Sequence, residues 1–130
     1  MLKPAKDSID LGVLVKDIDA SLAFYRDTLG LAYVGSNASG MGTLHRLRYG
    51  TSDFKLIDPS EVPPAGAQGI TASLGFRYVT FVISNLDEVC AKLAELGVAF
   101  ELQPVEIRPG VRIAMVQDPD GNVVEFVQLG

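Results

Sequence analysis

Along the chain, hydrophobic and polar residues follow two periods, one typical of β-strands and one typical of α-helices. Short, mostly apolar runs predict strands at residues 9–15, 31–34, 44–49, 54–57, 76–83, 98–102, 111–117 and 123–129. Two longer stretches have apolar residues at helical spacing. The first predicts a helix from Asp17 or Asp19 to Leu29, and the second predicts a helix from Asn85 to Leu96. Asp and Asn favour helix N-termini, and a glycine follows each stretch as a stop signal.

The segments between these elements are rich in residues that favour turns. The glycine-rich residues 35–43 predict a flexible loop, residues 105–109 a turn, and residues 59–75 a linker of many Pro, Gly, Ala and Ser. Residues 118–122, Asp-Pro-Asp-Gly-Asn, predict a tight turn, because Pro fixes φ and Gly and Asn accept positive φ. The last two strands therefore form a hairpin around this turn.

The order of elements before the linker is repeated after it. When the two parts are aligned, the helix caps coincide and Lys55 stands opposite Glu125. We therefore predict an α+β fold of two βαβββ modules in tandem, about residues 8–58 and 76–129, in one domain spanning residues 1–130. The modules would build a curved, mixed or antiparallel sheet around a central cavity, with the helices outside.

Composition and charge narrow the range of functions. The chain has 130 residues, of which 48% are hydrophobic and 21% charged, an ordinary balance for a globular protein. Its net charge is −5 and no cluster of Lys or Arg stands out, which argues against nucleic-acid binding. No apolar run is long enough to span a membrane. The single cysteine, Cys90, excludes an intrachain disulfide, so we expect a cytoplasmic protein.

Two stretches, VLVKDIDASLAFYRDTLGL and VQDPDGNVVEFVQ, resemble the signature sequences of the vicinal oxygen chelate superfamily. That superfamily includes glyoxalase I, methylmalonyl-CoA epimerase, extradiol dioxygenases, and the fosfomycin and bleomycin resistance proteins. The resemblance covers residues 9–129 and implies the two-module fold. It leaves the function open, since the superfamily contains lyases, isomerases, oxygenases, transferases and binding proteins.

In the metal enzymes of this superfamily, each module supplies two ligands, and the resemblance places these at Asp10, Lys55, Tyr78 and Glu125. His, Glu or Gln usually occupies these places, and only Glu125 is of that type. Asp10 suits a hard divalent ion, but Lys55 cannot act as a ligand while protonated, and Tyr78 belongs to a rare ligand type. A divalent metal is therefore an open but not a favoured cofactor, and we assign no metal ligand.

The alternation of side chains along the strands places the same four residues on the cavity faces, because the apolar packing residues alternate with them. A carboxylate there would abstract a proton next to a carbonyl, while Lys55 or Tyr78 stabilises the oxyanion. We therefore predict catalytic roles for Glu125, Asp10, Lys55 and Tyr78. The alternative is a structural ion pair that fills a vestigial metal site.

Three further residues are candidates to bind the substrate. Alternation turns Thr80 toward the cavity, and Arg112 would hold an anionic group. His45, the only histidine, is a candidate if its strand face lines the cavity, and a position on a polar rim is the alternative. On that strand, Arg46 and Arg48 would project to the other face.

Two functions of different class follow. The first is a glyoxalase-like lyase or isomerase that acts on an oxygenated or carbonyl-bearing small molecule by acid–base chemistry around Glu125. The second is a non-catalytic binding protein of the bleomycin-resistance type, which would hold an apolar or aromatic small molecule. The chain has no Trp and its aromatic residues mostly occupy packing positions, which favours the enzyme. The resemblance also implies a homodimer.

Overall fold

The computed structural model describes residues 1–130 as two compact units, Met1–Pro64 and Ala65–Gly130. Each unit contains one helical segment and one four-stranded mixed sheet, so the predicted α+β class and βαβββ arrangement are confirmed. The boundary between the units lies inside the predicted linker, residues 59–75. That the units make one domain stays a prediction. Neither helical segment combines the length and hydrophobicity needed to cross a membrane.

The first unit consists of one interrupted helix and four strands. In chain order these are β1 (Leu11–Leu14), α1 (Ile18–Leu22) with its π-helical continuation (Ala23–Thr28), β2 (Ala32–Ser39), β3 (Gly42–Tyr49) and β4 (Ser52–Pro59). The sheet order is β1-β4-β3-β2, and β1 runs parallel to β4. The Asp17 carboxylate caps α1 by accepting a hydrogen bond from the Ala20 N–H at 3.1 Å.

The core of the first unit lies between this helical segment and one sheet face. The Tyr25 ring is fully buried, and its centroid lies 4.6 Å from that of Phe54 on β4. Leu47 and Leu56, on the same sheet face, are completely excluded from solvent. The opposite face, which carries Lys55, is turned away from the helix.

The second unit repeats the plan with a regular helix. Its elements are β5 (Tyr78–Val82), α2 (Leu86–Glu95), β6 (Phe100–Arg108), β7 (Val111–Gln117) and β8 (Val123–Leu129). The sheet order is β5-β8-β7-β6, with β5 parallel to β8. Helix α2 packs on this sheet through one apolar stripe that includes the fully buried Leu93, and the sheet side chains beneath it include the fully buried Val116 and Val124.

Strand register extends the internal repeat to single residues. Gly12 on β1 is the Cα partner of Lys55 on β4, and Thr80 on β5 is the Cα partner of Glu125 on β8. The sequence alignment of the modules pairs the same residues, Lys55 with Glu125. These two charged residues therefore occupy equivalent positions in the two units.

Two segments predicted as irregular are strands. Residues 35–43, predicted as a loop, continue β2 to Ser39 and begin β3 at Gly42, with a short turn between them. Residues 105–109, predicted as a turn, largely belong to β6, whose register shifts along its length. In the first segment, hydrogen bonds to a neighbouring strand outweigh the preference of Gly for turns. In the second, Pro109 stays in the turn while the residues before it belong to β6.

The predicted helix from Asp17 to Leu29 exists, but its second part is π-helical from Ala23 to Thr28. The wider turn was not foreseen, because helical periodicity in sequence does not distinguish an α-helix with a π segment from a regular one. The segment ends at Leu29, whose N–H donates to the Phe24 carbonyl at 2.9 Å.

Candidate functional site

In the second unit, one sheet face packs against α2 and the other is open. Phe81, Val124 and Phe126 are buried on the helix side. On the opposite face, which we call the open face of the second unit, Tyr78 and Val82 are 53% and 54% exposed. The residues that alternation places on this face include Tyr78, Thr80, Val82, Met115, Glu125 and Val127.

Glu125 presents a carboxylate on this open face. The Thr80 hydroxyl donates a hydrogen bond to Glu125 Oε1 at 2.7 Å. On the other side, Glu125 has Met115 of β7 as its register partner. The carboxylate is half-buried and forms no ion pair. Thr80 holds its Oε1, while its Oε2 makes no hydrogen bond within the chain. A carboxylate with one fixed and one available oxygen is suited to accept a proton.

Tyr78 lies on the same open face, two residues before Thr80 on β5. Two residues along a strand correspond to roughly 7 Å. The structure therefore brings together three of the predicted site residues, Tyr78, Thr80 and Glu125, and the repeat of the strand pattern was sufficient to predict this grouping.

Arg112, a predicted substrate-binding residue, lies apart from this group. Arg112 and Met115 lie three residues apart on β7 and therefore on opposite faces of the sheet. Arg112 belongs to the face that packs against α2. There it donates to Asp87 Oδ1 at 2.8 Å. This ion pair lowers the pKa of the Asp87 carboxyl and raises the pKa of the Arg112 guanidinium. The guanidinium therefore links the sheet to the helix.

In the first unit, Lys55 is surrounded by other charged residues. Its register partner on β3 is Arg46, and Arg48 faces Asp53 in the same way. Arg46 Nη1 donates to Asp53 Oδ2 at 2.7 Å, and Arg48 Nε donates to Asp53 Oδ1 at 3.1 Å. The two arginines, Arg46 first, lower the pKa of the Asp53 carboxyl. We call these four residues, Arg46, Arg48, Asp53 and Lys55, the basic cluster.

The sequence interpretation missed most of the basic cluster. It assigned Lys55 to the site and placed Arg46 and Arg48 on the face opposite His45, but it did not connect the arginines with Lys55. The pairing of residues across the predicted β3–β4 hairpin could have revealed this connection. With β3 and β4 joined by the turn at Gly50, residues 46 and 55 must face each other, as must residues 48 and 53.

Asp10 precedes β1, and both of its known partners belong to the first unit. Its Oδ1 accepts hydrogen bonds from Lys6 Nζ at 2.7 Å and from the Asp53 N–H at 2.8 Å. The hydrogen bond from Lys6, followed by the one from Asp53, lowers the pKa of the Asp10 carboxyl. Lys6 and Ser8 also donate to the Thr51 carbonyl, at 3.1 and 2.9 Å. Asp10 thus ties the N-terminal segment to the β3–β4 turn.

His45 lies on the helix-covered face of the first unit, since its register partner is the buried Leu56. Its Nδ1 is 2.9 Å from the Tyr33 hydroxyl. The Arg26 guanidinium lies 5.8 Å from the centroid of the Tyr33 ring, within the range of a cation–π interaction. His45 and Lys55 therefore project from opposite faces of one sheet.

Of the four positions that the family resemblance assigns to metal ligands, the two in the first unit do not suit a divalent ion. The Asp10 carboxylate is engaged by a lysine and a backbone amide, and Lys55 presents an ammonium group. Throughout the 130 residues, no three side chains of His, Cys, Asp or Glu converge so as to hold a metal ion. A divalent ion bound by proteins requires several such donors in one place.

Fold and sequence together define the family. Residues 9–126 match the model of the Glyoxalase/Bleomycin resistance protein/Dioxygenase superfamily. The chain therefore belongs to that superfamily, and the resemblance predicted from its two signature stretches is confirmed.

Individual relatives have different functions. A probable lactoylglutathione lyase of Synechocystis is 29% identical over 89% of this chain and 90% of its own length. The crystal structure of a lactoylglutathione lyase from Agrobacterium tumefaciens is 26% identical, with a TM-score of 0.70, covering 97% of this chain and 96% of that one. An antibiotic binding protein from Streptomyces is also 26% identical, with a TM-score of 0.74, covering 98% of this chain and all of that one. The superfamily thus includes both lyases and small-molecule binding proteins.

Proposed function

We propose that the protein is a glyoxalase-like lyase or isomerase in which Glu125 is the general base. The observation that carries this proposal is the hydrogen bond of 2.7 Å from Thr80 to Glu125 on the open face of the second unit. A carboxylate held in this way, among apolar side chains and without an ion pair, has a fixed orientation and one oxygen available to a substrate.

The proposed reaction begins with transfer of a proton from the carbon next to a carbonyl to Glu125 Oε2. The electron pair of the broken C–H bond forms a carbon–carbon double bond, and the carbonyl oxygen becomes an enolate oxygen. In an isomerase, Glu125 returns the proton to a different atom of the substrate. In a lyase, the enolate re-forms the carbonyl, its electron pair forms a double bond to the next carbon as the bond from that carbon to the leaving group breaks, and Glu125 gives its proton to the departing group. In both reactions, the protons and electron pairs are accounted for without a metal ion.

Two further features of the open face support this chemistry. The Tyr78 phenol, on the same face as Glu125, is a donor suited to stabilise an enolate oxygen. Val82, Met115 and Val127 provide an apolar surface for the body of a small molecule. The names of the Synechocystis and Agrobacterium relatives support a lyase of this kind.

Deuterium exchange tests the proposed base without knowledge of the natural substrate. The protein would be incubated in D₂O with lactoylglutathione and with a panel of 2-hydroxy ketones and 2-keto acids, and label at the carbon next to the carbonyl would be followed by NMR. We expect Glu125→Gln to slow exchange by about 10²- to 10⁴-fold. Glu95→Gln, which removes an exposed carboxylate of α2, is the matched control. Equal rates in the two variants would refute the role of Glu125.

The second candidate is a binding protein that sequesters a small apolar molecule. The similarity to the antibiotic binding protein from Streptomyces and the apolar character of the open face favour it. The two functions differ in their dependence on Glu125. A binding protein would show no exchange with any compound of the panel, and Glu125→Gln would leave its affinity for an apolar antibiotic unchanged.

A further inference from the structure

A row of four register partners crosses the sheet of the first unit on the face away from the helix. It consists, in order, of Gly12, Lys55, Arg46 and Gly35. Two cationic side chains thus stand directly opposite each other on neighbouring antiparallel strands. Like charges in this arrangement destabilise a sheet. Within the chain, Asp53 pairs with Arg46 and Arg48, and the charge of Lys55 acts on Asp10, whose carboxylate is hydrogen-bonded to Lys6.

The basic cluster carries an excess of positive charge that the protein does not neutralise. Three cations share one carboxylate, which leaves two positive charges, and the neighbouring Asp10 is already paired with Lys6. Lys55 forms no ion pair, and Arg46 uses only Nη1 within the chain. This local excess contrasts with the net charge of −5 for the whole chain. Several charged N–H donors are therefore available to a ligand.

The glycines at both ends of the row leave space beside these donors. A Cβ at Gly35 would meet no atom within 4 Å, and a Cβ at Gly12 would meet only Ile57 Cδ1, at 3.7 Å. Neither neighbour of the two cations thus has a side chain that could cover or pair with them. Because lysine and arginine are the residues that bind carboxylates and phosphates most strongly, the row has the charge and the access of an anion site.

We propose that Lys55 and Arg46 form a binding site for a small organic anion, a phosphate or carboxylate, whose oxygens receive hydrogen bonds from Lys55 Nζ and from the free N–H groups of Arg46. The Asp53 carboxylate, whose other oxygen accepts from Arg48, holds the Arg46 guanidinium in place. The bound anion removes the repulsion between the two cations. This site lies within the first unit and does not depend on the role of Glu125.

Titration of the whole chain with inorganic phosphate, and separately with succinate, tests the site by calorimetry at low ionic strength. We expect saturable binding of at least one of the two probes. A charge-assisted hydrogen bond is worth about 10- to 100-fold in affinity, so Lys55→Gln and Arg46→Gln should each weaken binding by at least about 10-fold. Lys55→Arg should retain most of the affinity, since it keeps the charge.

Lys16→Gln is the matched control, because it removes the same charge from an exposed lysine that forms no ion pair. It should change the affinity by less than about twofold, as screened long-range charge predicts. Thermal unfolding gives an independent readout. Without added anion, Lys55→Gln should raise the Tm, and phosphate or succinate should raise the Tm of the wild type but not of this variant. Absence of saturable binding to both probes, or equal losses in Lys55→Gln and Lys16→Gln, would overturn the proposal.

Discussion

The Thr80 hydroxyl donates to Glu125 Oε1 at 2.7 Å across the parallel strands β5 and β8. The contact joins the centre of the first strand of its module to the centre of the last. Since both backbones are fixed by strand pairing, the carboxylate is oriented by the fold itself.

Substitution of this hydroxyl tests whether orientation matters for the proposed reaction. Thr80→Val keeps the shape of the side chain but removes the donor, so we expect deuterium exchange to slow by about 10-fold, the value of a hydrogen bond to a charged group. Thr80→Ser restores the donor and should restore most of the rate. If Val and Ser at this position give the same rate, Thr80 has only a packing role.

Acid should weaken the attachment of the N-terminal segment to the first unit. The pKa of Asp10 is lowered from its ordinary value of 3.8, first by the hydrogen bond from Lys6 and then by that from Asp53. Its contribution to stability is therefore complete above pH 3.8 and is lost as the pH falls through the lower folded-state pKa. Asp10→Asn should lower the Tm at pH 7, but it should not lower the Tm at a pH below the folded-state pKa of Asp10.

Asp7→Asn is the control for that comparison, because Asp7 is exposed and forms no ion pair. It should leave the Tm unchanged at both pH values. A Tm difference between wild type and Asp10→Asn that is independent of pH would show that the carboxylate charge is not what stabilises the segment.

Gly42 occupies a place where no side chain fits. A Cβ there would clash with the Asp58 carbonyl oxygen, and the φ of +131° is rarely adopted by residues with a side chain. Gly42→Ala should lower the free energy of unfolding by about 2 kcal/mol or more, measured by urea denaturation. Gly40→Ala, in the same turn but with no atom near the added Cβ, should change it by less than about 1 kcal/mol. Equal losses in the two variants would contradict this account.

The donor set also makes a prediction about metal content. Because Lys55 and the engaged Asp10 do not suit a divalent ion, protein purified without chelators should contain no stoichiometric Zn, Ni, Mn or Fe by elemental analysis. A metal present at one equivalent per chain would contradict the proposed metal-free chemistry and would require ligands other than these.

The superfamily commonly pairs modules across a dimer interface, so we expect a homodimer. Static light scattering at micromolar concentration should give twice the 13.9 kDa of the chain. The mass should not change with salt up to about 0.5 M if apolar rather than charged surfaces are buried, since salt screens exposed charges. A mass of one chain would contradict the prediction.

Much of the fold was predictable because the sequence contains an internal repeat of the same order of strands and helix. Strand alternation and the helix caps recur in both modules, and the alignment of Lys55 with Glu125 agrees with their register. The lengths of β2 and β6 were not predictable, because hydrogen bonds between strands decide them and not the local preferences of Gly and Pro. The extension of β3 to Gly42 also depends on a close approach to Asp58, which only the folded chain reveals.

The site was predictable only as far as strand alternation reaches. Alternation placed Tyr78, Thr80 and Glu125 on one face. It could not show that Arg112 contacts Asp87 on the helix, nor that Asp10 accepts hydrogen bonds from Lys6 and Asp53. Those contacts depend on long, flexible side chains whose partners come from other elements.

The equivalent positions of Lys55 and Glu125 also have a consequence for substitutions in this two-module scaffold. The same position on the last strand of the module, paired with the first strand, is occupied by Lys55 in one copy and by Glu125 in the other. The two copies of the module thus carry opposite charges at one position while their backbone pairing is the same. For protein engineering, this means that residues 55 and 125 can be exchanged independently to give the scaffold new combinations of acid, base and anion receptor.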